Sequence, residues 1–92
     1  MSLNSEIAFM DALNSGRLKN QDLKTLKFLE LMGPHTWQEM QSHFERILGK
    51  RMKDATFSSS VSRLNKDGKI KIVGDRFNPS TGFMNSVYAL VD

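Results

Sequence analysis

The sequence predicts an α+β domain: a bundle of four helices followed by a C-terminal β-hairpin. Three observations carry that expectation. Apolar residues recur at helical spacing from Ile7 to Leu64. Glycines at 16, 33, 49 and 68 divide that region into four segments. Beyond Gly68 the period changes, because Lys69-Ile70-Lys71-Ile72-Val73 alternates charged and apolar residues and residues 83–91 form a second apolar run.

The first helix is expected at about residues 5–13, with Ile7, Met10 and Leu13 on one side and Gly16 ending it. The second runs from about 21 to 32. Asn20 suits its N-cap, since a short side-chain oxygen can accept from the first-turn N–H groups. Leu23, Leu26, Phe28, Leu29, Leu31 and Met32 give it a wide apolar face, and Gly33-Pro34 stops it. Thr36-Trp37-Gln38-Glu39 is a capping box that opens the third helix. Trp37, Met40, Phe44, Ile47 and Leu48 follow helical spacing, and Gly49 ends the segment. The stretch 42–53 reads as an extended helix or an irregular turn. Asp54 or Thr56 is expected to cap the fourth helix, whose stripe is Phe57, Val61 and Leu64. The hairpin tip is expected at 75–82, where Pro79 and Gly82 lie.

Ninety-two residues make one domain with a thin core. There is no cysteine, which removes disulfides, thiol nucleophiles and thiolate zinc sites and fits a cytoplasmic location. The longest apolar run is Ile7-Ala8-Phe9-Met10, too short for a membrane span. Net charge is +3, unevenly placed. Residues 1–49 hold five Lys/Arg and six Asp/Glu, whereas residues 50–76 hold eight Lys/Arg and three Asp/Glu. The positive charge therefore gathers around the fourth helix and the first strand, as an anionic partner would require.

Val61-Ser62-Arg63-Leu64-Asn65-Lys66-Asp67-Gly68-Lys69-Ile70 resembles the recognition-helix end and first wing strand of winged helix-turn-helix DNA-binding domains. Asn78-Pro79-Ser80-Thr81-Gly82 with Val87-Tyr88-Ala89-Leu90 resembles the wing of small phage and prophage proteins of that class. The resemblance covers about residues 20–92, so residues 1–19 are expected to be an N-terminal helical extension. It implies a cytoplasmic, double-stranded DNA-binding protein, a small transcription regulator with residues 55–66 in the major groove and the hairpin 69–91 as the wing.

The residues fit that chemistry. With Phe57, Val61 and Leu64 turned inward, Thr56, Ser59, Ser60, Arg63 and Lys66 are expected to face outward. Hydroxyls can bond base edges or phosphates, and Arg63 can pair bidentately with guanine. Serine is a poor helix former, so Ser58-Ser59-Ser60 is an unusual choice for a merely solvated face. Lys50, Arg51, Lys53, Lys69, Lys71 and Arg76 would supply phosphate contacts, which give affinity without sequence reading.

An enzyme is not expected. His35 and His43 lack a carboxylate at ligand spacing, and no phosphate-cradling glycine motif occurs. No cofactor or metal is implied. Residues 3–17 are the candidate homodimer surface, and deleting 1–16 is expected to leave the fold intact. The alternative function is a winged-helix adaptor that binds a protein, for example a phage protein binding a host polymerase or replication protein. RNA binding is disfavoured, since no aromatic pair on a strand offers a stacking platform.

Overall fold

The computed structural model describes residues 3–91, in the order α1 Leu3–Asn14, α2 Gln21–Met32, α3 Trp37–Leu48, α4 Asp54–Lys66, β1 Ile70–Asn78 and β2 Phe83–Leu90. The fold is α+β, four helices followed by a two-stranded antiparallel hairpin. The termini of the two expected segments, 1 and 92, lie outside the described residues.

The core is a ladder of phenylalanines. Phe9 of α1 meets Phe28 of α2 edge-on, with ring centroids 5.3 Å apart, and meets Phe44 of α3 at 5.2 Å. Phe44 in turn meets Phe57 of α4 at 5.0 Å. Edge-to-face pairs add to the apolar burial itself. Leu29, Met32, Met40, Val61, Leu64 and Ile70 complete the buried cluster.

This arrangement corrects the reading of α1. The helix turns Phe9 inward, while Ile7 and Met10 are half exposed and only Leu13 of the expected stripe packs on the core. Because Phe9 is fully buried among residues of α2 and α3, α1 is part of the core. The expectation that residues 1–16 can be deleted without loss is therefore withdrawn. Leu23 and Leu48, expected on apolar faces, are likewise largely exposed.

Capping chemistry set the next boundaries. Asn20 Oδ1 accepts from the Leu23 N–H at 2.9 Å. Thr36 Oγ1 accepts from the Glu39 N–H at 3.1 Å, and Glu39 Oε1 accepts from the Thr36 N–H at 2.9 Å, which is the full capping box. α3 ends at Leu48, where Gly49 takes φ 67°, so the extended-helix alternative for 42–53 does not hold. The connection 49–53 is pinned to α3. Gln41 Nε2 donates to the Met52 carbonyl at 2.9 Å and to Asp54 Oδ1 at 2.8 Å, and Glu45 Oε2 accepts from the Met52 N–H at 2.9 Å. Neither Asp54 nor Thr56 caps α4. The N-cap position is Lys53, which makes no side-chain cap bond.

The hairpin is longer and its tip tighter than expected. β1 continues through Asn78, opposite Phe83, with a bulge at Val73 between Ile72 and Gly74. The tip is 79–82. Asn78 Oδ1 accepts from the Ser80 N–H at 3.0 Å, and its carbonyl accepts from the Gly82 N–H at 2.8 Å. Only Ile70 of β1 is buried; the rest of the strand is exposed apart from half-buried Asn78.

One element escaped the sequence reading. His35, between α2 and α3, pairs with Tyr88 as an isolated antiparallel bridge. Its N–H donates to the Tyr88 carbonyl at 3.1 Å, and the Tyr88 N–H donates back at 2.9 Å. The junction of α2 and α3 thus adds a one-residue third rung beside β2.

Candidate nucleic-acid interface

The basic residues expected to meet an anion fall into two groups. Lys50, Arg51 and Lys53 on the loop before α4, Lys66 at its end, and Lys69 and Lys71 at the start of the hairpin are all exposed. None of the six has an ion-pair partner among the described residues. Arg63 and Arg76 are different, because each is held by a carboxylate of another helix.

Arg76 extends from β1 to Glu39 at the start of α3, with Nη1 at 2.6 Å from both carboxylate oxygens. Burial pushes Glu39 up, yet the bonds from Arg76 and from the Thr36 N–H outweigh it and hold the carboxyl below its ordinary value. Arg76 is therefore a strut between hairpin and helix, which corrects its assignment to a free phosphate contact. The small cleft that the strut closes, between Gln38, Ser42, Phe77 and Asn85, has its only charges, Glu39 and Arg76, neutralised against each other.

Ser60 is the second correction. Residues 57, 60, 61 and 64 of α4 all face the body, and Ser60 is fully buried. The 3.6-residue turn sets Ser60 beside Phe57 and Val61, on the seam with α2. There it joins a polar chain. Gln21 Nε2 donates to Thr25 Oγ1 at 3.2 Å, Thr25 and Ser60 share a bond of 2.9 Å, and Ser60 Oγ donates to Asp22 Oδ1 at 2.8 Å. Asp22 also receives Arg63, with Nε at 3.1 Å from Oδ2 and Nη2 at 2.8 Å from Oδ1. The hydrogen bond from Arg63 is the main cause that holds Asp22 below its ordinary value, and the same bond raises Arg63.

The outer face of α4 is then made of Ser59, Ser62, Arg63 and Lys66, with Thr56 half-buried at its edge. Ser62 was not singled out from the sequence, although i, i+3 spacing from Ser59 would have found it.

Of the histidines, His35 is buried and His43 half-buried. His35 Nδ1 donates to the Gly33 carbonyl at 2.8 Å, and Arg46 Nη2 donates to His43 Nδ1 at 2.8 Å. That second bond needs an unprotonated Nδ1. Burial is the main cause that lowers His43, and the Arg46 charge adds to it. Both rings pack against Phe28.

These shifts give a pH prediction. His43 is depressed from 6.5, so the unfolded chain takes that proton first. Its stabilisation is complete above the ordinary imidazole value and is lost as pH falls toward the folded value. Asp22 and Glu39 are depressed from 3.8 and 4.5, so their contribution is lost in a second, more acidic step. Urea midpoints measured from neutral to acid pH should fall in these two stages. His43→Gln should flatten the first stage alone; an unchanged first stage would refute the assignment.

No protein-family model, no curated protein and no solved structure matches the chain. No helix among the described residues is long and apolar enough to cross a membrane.

Proposed function

We propose that the chain is a winged-helix module that binds double-stranded DNA, with α4 in the major groove and the hairpin as the wing. The observation that carries the reading is the set of six exposed cations at 50, 51, 53, 66, 69 and 71, none ion-paired among the described residues, which brackets the hydroxyl face of α4. Phosphates on either side of a groove need cations on either side of the inserted helix. The His35–Tyr88 rung suits a winged helix too, since it ties the α2–α3 junction to the wing strand. A small transcription regulator, of the phage type that the wing sequence resembles, is the role we propose.

The test is fluorescence anisotropy with a random-sequence duplex at about 50 and 200 mM salt. Six phosphate contacts predict an affinity loss on the order of 10³ between the two. Binding that ignores salt, or no binding at low salt, would sink the reading.

A protein-adaptor reading is favoured by one specific observation. The outer hairpin exposes Phe77, Phe83 and Met84, with Phe83 71% exposed. Phe77 and Met84 are directly opposed in the register and share a face.

A DNA-reading domain of this size would work as a dimer on two half-sites. The exposed Ile7 and Met10 of α1 are the surface we propose for it. Ile7→Asp with Met10→Asp should keep the fold, because Phe9 is untouched, and should lower the mass in solution to that of a monomer. Equal masses for variant and parent would remove α1 from the interface.

A further inference from the structure

We infer that Asp22 is a positioning residue for base reading: it holds Arg63 so that the outer fork of the guanidinium is presented to a guanine. The inference rests on the DNA reading above and adds to it a base preference and the residue that sets it.

An arginine has five N–H donors in one plane. Asp22 takes two of them, Nε–H to Oδ2 at 3.1 Å and one Nη2–H to Oδ1 at 2.8 Å. Both lie on the inner edge of the guanidinium. Three donors remain, the two on Nη1 and the second on Nη2. The outer pair, one from each nitrogen, is the planar fork that matches guanine O6 and N7. The ion pair with Asp22 thus leaves the reading edge free, and the Arg63 side chain is 55% exposed.

The carboxylate is itself fixed. Ser60 donates to Oδ1, and Ser60 is bonded to Thr25; both are fully buried between α2 and α4. Asp22 also lies in the first turn of α2, where the helix end favours a negative charge. A free arginine on a helix surface samples many rotamers and loses that freedom on binding. Arg63 has already lost it to a support anchored in the core. This support also explains why a serine sits fully buried in the middle of α4.

The cost of the device is a negative charge close to an anionic partner. Asp22 should therefore oppose general affinity while sharpening sequence choice. A merely structural ion pair would not separate these two effects.

The experiment selects binding sites from a random duplex pool with the wild type, Asp22→Asn and Arg63→Lys, and measures random-duplex affinity beside each selection. The wild type should enrich guanine at one position of its site. Asp22→Asn should bind random duplex as well as the wild type or better, while its guanine preference falls on the order of tenfold. Arg63→Lys keeps the charge without the fork, so it should keep random-duplex affinity and lose the same guanine. An unchanged base preference in either variant overturns the inference. Should Asp22→Asn fail to fold, the wild type decides by NMR of the Arg63 Nε–H. A signal that stays protected on adding the enriched duplex supports the support role, and collapse to a free-arginine signal overturns it. A wild type that binds no duplex at low salt fails the DNA reading itself, before any variant is compared.

Discussion

Phe9→Ala should destabilise the domain by about 3–5 kcal/mol. Phe9 is fully buried, and its ring edges meet Phe28 at 5.3 Å and Phe44 at 5.2 Å. Alanine would remove the aromatic transfer energy and open a cavity where three helices meet. Those helices also carry other core contacts, so the site cannot close over the void at low cost. A domain of this size has roughly 5–15 kcal/mol of total stability, so the variant would stand near its unfolding threshold. Its melting temperature should fall by at least about 12 °C. Ile7→Ala is the internal comparison. Ile7 is half exposed on the same helix, and its loss should stay near 0.5 kcal/mol. Urea unfolding followed by circular dichroism measures both. Equal, small losses in the two variants would mean that α1 only rests on the domain.

Reversing Lys50, Arg51 and Lys53 to glutamate should lower random-duplex affinity on the order of 10³ at low salt and reduce the salt slope by about three. The three side chains are exposed on the loop before α4, and none makes an ion pair among the described residues. The fold should therefore survive their reversal. The loop itself is held by Gln41 and Glu45 acting on the Met52 backbone, which the substitutions leave alone. Arg63 is unsuitable for the same reversal, because a glutamate there would face the Asp22 carboxylate and confuse lost binding with lost folding. An adaptor would be unaffected by the triple change and would instead lose its partner on Phe77→Ser with Met84→Ser. Retained duplex affinity in the triple variant would exclude the loop from the interface.

Most local chemistry was legible in the sequence; the exception is the α4 cap, where Asp54 is taken by Gln41 instead. The capping box at Thr36 and Glu39, the Asn20 cap, the stop at Gly33 and the stripe of Phe57, Val61 and Leu64 all depend on residues within one or two turns of each other. What escaped depends on a partner far along the chain. Ser60 reads as an outward serine until Asp22 and Thr25 are brought beside it. Arg76 reads as a free cation until the hairpin carries it to Glu39. The helical pattern of α1 contains both an Ile7/Met10 face and a Phe9 face, and only the aromatic pocket offered by α2 and α3 chooses between them. The rung at His35 is a single pair, too short for any periodicity to reveal. Of the eleven residues expected at the interface, Ser60 is removed by burial and Arg76 is tied to Glu39. Arg63 stays, in a geometry that no spacing argument could supply.

The His35–Tyr88 rung also bears on the order of events during synthesis. At the α2–α3 junction the His35 N–H and carbonyl are both bonded by a residue from β2, the last element of the described fold. Once α1 to α4 have cleared the ribosome and β2 has not, the Phe9, Phe28, Phe44 and Phe57 rings can gather. The junction, however, has no strand to pair with, and Ile70 and Leu90 have not yet sealed the core. The nascent helices would therefore be a loose collapsed bundle, open to proteases and chaperones, until Tyr88 emerges. The domain would then close in one late step, when the returning strand docks.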